Sequence, residues 1–223
     1  MVQAIVCDFD YTLADSSPGI IACANEALRG LGFPQAPAAR IRSTIGLSLP
    51  QTLAALTGVT DAAMASEFTR RFVAHADQVM NGLTTLYPWV PETVQHLRQR
   101  GVRLGIVSSK YRYRIEQILQ ARGLAACFEV IVGGEDVVYH KPDPAGLFLA
   151  IERLQVAPAQ VLYVGDHPVD AEAASRAGIA FMAVLTGTSD AQSFANHPVR
   201  HFLPDLSQLP LRLSSQGFRL DSV

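Results

Sequence analysis

Cysteine is scarce in this chain. Cys7, Cys23 and Cys127 are an odd three, far apart and without the spacing of a metal site. They suit neither a disulfide framework nor a thiolate cluster, and read as small core residues. Charge is sparse as well: charged residues make up 17% and the formal net charge is −2. That balance leaves no electrostatic footprint for nucleic acid. Runs of like charge and low-complexity tracts are absent. No apolar stretch approaches the ~18 residues of a membrane span. The amino terminus enters an apolar run almost at once, without the basic and apolar regions of a signal peptide. The expectation is a soluble, reduced, cytoplasmic protein with neither nucleic acid nor membrane as partner.

What is present is a large apolar fraction, 49% of 223 residues, enough for one large domain or two small ones. The first informative segment is Ala4-Ile5-Val6-Cys7-Asp8-Phe9-Asp10-Tyr11-Thr12-Leu13. Its apolar start has the length and branching of a buried strand. Side chains at i and i+2 of an extended chain leave the same face. Asp8 and Asp10 therefore meet where the strand ends, the edge at which open α/β sheets bind ligands. Two carboxylates there suit a divalent cation, a nucleophile and acid pair, or both. By itself the pair reads equally well as a turn with a helix cap.

Residues 17–80 read as helix after helix. Ser16 or Ser17 caps the first, Pro18 suits its first turn, and Ile20, Ala24, Ala27, Leu28 and Leu31 share a face that Gly32 closes. A second short helix follows Ser48 and Pro50. A third carries Met64, Phe68, Phe72, Ala76 and Val79 on one stripe. From Leu83 onward the pattern alternates. Helices are expected over 91–100, 112–122, from 143 and over 168–177, and strands over 102–107, 128–132, 161–164 and 180–184, with a last edge strand at 201–203 and a short helix after it. The final ten or so residues read as a loose tail. Such βα alternation calls for a mostly parallel sheet with helices on both faces. The helical block between the first strand and the rest reads as an insertion.

Each expected strand ends in polar residues: Ser108-Ser109-Lys110, then Gly133 through His140-Lys141-Pro142-Asp143, then Gly165-Asp166-His167-Pro168-Val169-Asp170. In a parallel sheet these ends share one edge. That edge would gather Asp8, Asp10, Asp166 and Asp170 with one hydroxyl, Ser108, and one ammonium, Lys141.

In order and spacing, Asp8-x-Asp10-x-Thr12, Ser108, Lys141-Pro142 and Gly165-Asp166-x-x-x-Asp170 resemble the four motifs of the haloacid dehalogenase-like (HAD) hydrolases, over about residues 1–210. The insertion after the first motif resembles the subgroup with an α-helical cap, which includes phosphoglycolate phosphatases, small pyrophosphatases, β-phosphoglucomutase and dehalogenases. Arg42, Gly46 and Leu47 resemble a cap-loop pattern of the phosphoglycolate phosphatase branch. The fold implied is α/β: a Rossmann-like parallel sheet, the HAD core, formed by residues 1–14 and 84–223, with an α-helical cap at 15–83.

The resemblance implies a Mg²⁺-dependent phosphatase. Asp8 is then the nucleophile that forms an aspartyl-phosphate, and Asp10 the acid and base. Asp8, Asp166 and the backbone carbonyl of Asp10 hold the ion. Ser108, Ser109 and Lys141 bind phosphoryl oxygens, with help from the Phe9 and Asp10 N–H groups, while Arg42 and Gly46 touch substrate. Thr12 and Asp170 support these groups from behind, Asp170 reaching the metal through water or orienting Asp166 and Lys141. The charge problem fits: a carboxylate meeting a phosphate dianion at ~4 Å faces roughly 8 kcal/mol of repulsion at an effective dielectric of ~20. A cation and a lysine relieve it.

Where the family usually has Gly after the second aspartate, this chain has Tyr11, which would strain the turn or set a ring over the cap entrance. Asp10 disfavours a dehalogenase, since that type lacks the second aspartate. His140 and His167 read as rim or packing residues, Lys110 as solvated more readily than substrate-bound, and Tyr111 and Tyr113 as surface or packing groups. Trp89, between Pro88 and Pro91, reads as the second hinge of the cap. The expected substrate is a small phosphorylated metabolite, phosphoglycolate first. Sugar phosphates, nucleoside monophosphates and pyrophosphate stay open, as do phosphomutase chemistry and a non-catalytic regulatory role on the same fold. A monomer or weak homodimer is expected.

Overall fold

The computed structural model describes residues 2–214. The expected tail falls on 215–223 and lies outside the described residues. In chain order, β1 (Ala4–Cys7) and the two-residue β2 (Ala14–Asp15) precede four helices: α1 (Ser17–Gly30), α2 (Ala38–Arg42), α3 (Leu49–Thr57) and α4 (Ala62–Val79). There follow β3 (Thr85–Leu86), α5 (Val90–Gln99), β4 (Arg103–Val107), α6 (Arg112–Gln120), β5 (Val130–Val132), α7 (Ala145–Leu154), β6 (Val161–Gly165), α8 (Pro168–Ala177), β7 (Ala180–Val184), β8 (His201–Leu203) and α9 (Leu209–Ser214). The described residues divide into two compact units, 2–14 with 86–214, and Asp15–Thr85. Among the described residues no helix is long and apolar enough to cross a membrane.

The first unit is built on a six-stranded sheet in the order β5-β4-β1-β6-β7-β8. Every pairing is parallel, with Cys7 level with Ile106 on β4 and with Val164 on β6. The two-residue alternation of a strand divides the core into two layers. Ile5, Cys7, Leu104, Ile106, Leu162 and Val164 pack on one face with Val94 and Leu97 of α5 and Ile115 and Ile118 of α6. Ala4, Val6, Val161 and Tyr163 pack on the other with Leu147 and Ile151 of α7 and Ala171 and Ala174 of α8. Strand order turns about β1, so the loops after β4, β1 and β6 leave the sheet side by side at the switch point where such folds place their ligands.

The second unit is helical. Cys23, Ala27 and Leu28 of α1 are buried with Leu53 of α3 and Phe68, Phe72 and Ala76 of α4. Local chemistry sets its ends. Gln51 Oε1 accepts the Ser48 N–H at 3.0 Å, Gly58 closes α3 at φ 79°, and Asp61 caps α4 by accepting the Met64 N–H at 2.8 Å.

Most boundaries differ from the sequence reading by one or two residues, and four differences have a readable cause. The short helix α2 was not expected, because five residues give periodicity little to act on. The β5 strand starts at Val130 rather than 128, because Ala125–Cys127 forms a 3₁₀ turn and the chain straightens only after it. The α7 helix starts at Ala145, whose N–H Asp143 Oδ1 accepts at 2.9 Å. The two-residue strands β2 and β3, paired as a separate sheet, are too short for alternation to betray them.

Candidate active site

Asp8 is the first residue beyond β1. Its backbone N–H continues the ladder to the Val164 carbonyl at 2.9 Å, so the sheet itself fixes where its side chain begins. The carboxylate is 1% exposed. Oδ1 accepts the Phe9 N–H at 2.7 Å, and Oδ2 lies 3.0 Å from Lys141 Nζ. The Phe9 amide, expected to face phosphate, is thus engaged by Asp8 here. Asp166, after β6, is also buried and accepts the Thr12 hydroxyl at 3.3 Å. Asp170 sits in the first turn of α8, where a carboxylate suits the helix dipole. Asp170 Oδ1 is 2.6 Å from Lys141 Nζ, and Oδ2 accepts the His167 N–H at 3.1 Å. Asp8, Asp166 and Asp170 each offer an oxygen within 4.8 Å of the others.

The Asp10 side chain stands apart from that trio. It faces Lys110, whose Nζ lies 2.9 Å from Oδ1 and 3.1 Å from Oδ2. The reading of Lys110 as a solvated lysine is therefore corrected: it is buried, and the edge holds two ammonium groups rather than one. Ser108 is buried too, and its Oγ accepts the Lys110 N–H at 3.3 Å, while Ser109 beside it is half-buried. Arg42 and Gly46 lie in the helical unit, where Arg42 Nη1 donates to Ser17 Oγ and Gly46 has φ 102°. His167 accepts the Val169 N–H on Nδ1 at 3.2 Å and so caps α8. Trp89 stacks on Tyr87 at 5.1 Å, and Tyr111 and Tyr113 pack edge to face with Arg114 over both rings.

Three supporting residues, Tyr163, Thr186 and Gly187, went unread in the sequence, and a fourth, Lys110, was read as solvated. Tyr163, on β6, is fully buried, and its hydroxyl accepts from Lys141 Nζ at 3.3 Å. Its single proton has two acceptors in reach, Asp170 Oδ1 at 3.0 Å and the Val107 carbonyl at 3.1 Å. A phenol in an otherwise apolar buried strand needs a polar partner, and that was the available signal. Lys110 follows Ser108 by two residues, the same spacing that relates Asp8 to Asp10. Thr186 donates its hydroxyl to the Tyr11 carbonyl. Gly187 backs onto Asp166, since a Cβ there would stand 2.0 Å from Asp166 Oδ2. Neither residue carried a signal.

Tyr11 itself adopts φ 60° and is 5% exposed. Its N–H donates to the Ala14 carbonyl at 2.7 Å, so the turn takes the left-handed angle that glycine would adopt without strain.

Burial dominates the electrostatics. It pushes the Asp8 carboxyl up to about 6, although Lys141 pulls the other way, with Asp170 and Asp10 adding to the rise. Burial likewise raises Asp166 well above the usual carboxylate range, helped by the charges of Asp170 and Asp8. Burial works against the Lys141 ammonium, but Asp170 and Asp8 outweigh it and its proton is held more tightly than usual. Burial also raises the Cys7 thiol to about 12, which fits an inert core residue. Among the described residues, Asp8, Asp10, Asp166 and Asp170 are buried at this edge with Lys110 and Lys141, four carboxyl groups to two amines. The side-chain donors of the acidic trio are oxygens without thiolate or imidazole, a set that suits a hard divalent cation.

Comparison with known proteins agrees with this geometry. The sequence model of the family described as haloacid dehalogenase-like hydrolase matches residues 5–184. A phosphoglycolate phosphatase of Cereibacter sphaeroides is 37% identical over 83% of this chain and 86% of the relative. One from Vibrio vulnificus is 31% identical over 93% of this chain and 94% of its own length. A crystal structure described as a haloacid dehalogenase-like hydrolase, from Bacteroides fragilis, superimposes with a TM-score of 0.91 at 42% identity, over 94% of this chain and all of that one. With its parallel sheet and acidic strand ends, the chain belongs to the haloacid dehalogenase-like hydrolases and is a phosphatase of that family.

Proposed function

We propose that the protein hydrolyses a small phosphorylated metabolite, phosphoglycolate as the first choice, through an aspartyl-phosphate on Asp8 with Mg²⁺ as cofactor. The observation that carries the reading is the pairing of Asp8 Oδ2 with Lys141 Nζ at 3.0 Å inside the acidic trio, because it joins a carboxylate nucleophile to the charge that a phosphoryl group needs. The names of the Cereibacter and Vibrio relatives support the choice of substrate.

Asp8 and Asp166, with the Asp10 backbone carbonyl, would hold the ion, and Asp170 stands near enough to serve through water. When bound, the ion supplies positive charge that offsets the repulsion between carboxylate and phosphate. In the first step an Asp8 oxygen attacks phosphorus, the bond to the leaving oxygen breaks, and Asp10 gives that oxygen a proton. In the second, Asp10 takes a proton from water as water attacks the phosphorus of the aspartyl-phosphate, releasing phosphate and restoring Asp8. Ser108, Ser109 and Lys141 hold phosphoryl oxygens, and Thr12 orients Asp166. Substrate choice is assigned to the cap, residues 15–83, with Arg42 and Gly46 as its candidate contacts.

The test is a panel of metabolite phosphates with Mg²⁺, including sugar phosphates, nucleoside monophosphates and pyrophosphate. Phosphoglycolate is expected to have the highest kcat/KM. Asp8→Asn, which keeps the shape and removes the attacking charge, is expected to lose all but a few thousandths or less of turnover, on the order of nucleophile deletions elsewhere. An Asp8→Asn variant with more than a few per cent of wild-type activity would overturn the assignment of the nucleophile.

A further inference from the structure

Lys110 is an expensive residue to bury, and no step of the reaction above uses it. Its side chain is only 4% exposed and faces Asp10, itself 9% exposed. The ammonium stands over the Phe9 ring at 5.8 Å from the centroid. Its backbone is fixed on both sides: the N–H donates to Ser108 Oγ, and the carbonyl accepts the Gly134 N–H at 3.0 Å. Lysine gives up about 2 kcal/mol of rotamer entropy when held still. It is held against one carboxylate: Nζ donates to Asp10 Oδ2 at 3.1 Å and stands 2.9 Å from Oδ1, an ion-pair contact without hydrogen-bond geometry.

A carboxylate with one fixed bond to its backbone can still rotate about its terminal torsion, which is broad and roughly two-fold. A hydrogen bond on Oδ2 with the ammonium beside Oδ1 restrains that torsion and sets the plane of the group. Proton transfer depends on that plane, because the donor must reach its acceptor within about 2.6–3.2 Å. Asp8 gains its orientation from Phe9 and Lys141, Asp170 from Lys141 and His167, and Asp166 from Thr12. For Asp10 the corresponding group is Lys110.

We propose that Lys110 is the positioning residue of the proton-transfer carboxylate, aiming Asp10 at the leaving oxygen through its hydrogen bond to Oδ2 and its charge beside Oδ1. The inference rests on the reading of Asp10 as the acid, and the experiment separates the two. The second task open to this ammonium is contact with an anionic group on the leaving part of the substrate, and that becomes an outcome of the test.

Lys110→Met, Lys110→Gln and Lys110→Arg are compared with the wild-type enzyme by kcat/KM on three substrates with Mg²⁺. Phenyl phosphate needs its leaving oxygen protonated, 4-nitrophenyl phosphate needs this far less, and phosphoglycolate adds a carboxylate. The expected result for Lys110→Met and Lys110→Gln is a loss of about 10-fold or more on phenyl phosphate and less than about 3-fold on 4-nitrophenyl phosphate. Lys110→Arg is expected to recover part of the loss. In an Asp10→Asn background, Lys110→Gln is expected to cost nothing further. Equal losses on both aryl phosphates would overturn the proposal, as would a loss confined to phosphoglycolate, which would make Lys110 a substrate contact. If Lys110→Met does not fold, Lys110→Gln and its cycle with Asp10→Asn carry the same decision. An Asp10→Asn enzyme that treats the two aryl phosphates alike would instead overturn the acid role itself.

Discussion

The Lys141 ammonium lies 2.6 Å from Asp170 and 3.0 Å from Asp8. The shorter contact belongs to the residue that never meets the phosphoryl group in the proposed reaction. With Tyr163 at 3.3 Å, the three donors of the ammonium are all directed. An arriving phosphoryl oxygen then competes with Asp8 for one donor, while Asp170 and Tyr163 keep the nitrogen in place.

Asp170→Asn removes the charge that anchors Lys141 and keeps the shape. Activity is expected to fall about 10- to 100-fold, the range for groups that orient a first-rank residue. KM is expected to change little. Steady-state kinetics on one aryl phosphate checks both numbers, and unimpaired kcat would show that Lys141 is held adequately by Tyr163 and Asp8.

Metal removal gives the second prediction. Buried carboxylates outnumber the buried ammonium groups at this edge, and Asp8 and Asp166 both have raised proton affinity through burial. A hard divalent cation is expected to relieve that strain. Exhaustive chelation should abolish turnover, Mg²⁺ should restore it, and Mg²⁺ should raise the melting temperature by mass action. Full activity after chelation would contradict the assignment.

Gly187 supplies the third. With a Cβ at that position 2.0 Å from Asp166 Oδ2, alanine there must push the carboxylate aside. Gly187→Ala is expected to weaken the apparent affinity for Mg²⁺ by about 10-fold or more, as displaced supporting groups do elsewhere. A Mg²⁺ titration of activity, read beside a denaturant melt, distinguishes this from loss of fold. Unchanged Mg²⁺ dependence would show that Asp166 finds its place by another route.

Tyr11 supplies the fourth. At φ 60° a residue with a Cβ pays about 1–2 kcal/mol that glycine avoids. The ring is 5% exposed, and truncating a buried aromatic costs about 3–5 kcal/mol. Both Tyr11→Gly and Tyr11→Ala should therefore be less stable than wild type, with the glycine variant the more stable of the two by about 1 kcal/mol. Chemical denaturation checks the order. Equal stabilities would mean the turn relaxes out of the left-handed region once the ring is gone.

What the sequence determined by itself was carried by local interactions. Helix α8 and strand β7 stand at Pro168–Ala177 and Ala180–Val184, as expected, because proline, apolar periodicity and Gly178 act within a few residues of one another. The alternation of such segments was enough for a parallel sheet. That Asp8, Ser108 and Asp166 leave one edge of it follows from each standing just past a short β-branched run. The tertiary structure alone decided who holds whom. Lys110 finds Asp10 across 100 positions, and Thr12 finds Asp166 across 154. No propensity or spacing encodes such pairs, because a lysine that opens a helix reads as solvated until a buried carboxylate is placed against it. The same holds at Gly187, where the constraint is the space left by Asp166 and not any feature of the glycine's own neighbours in sequence.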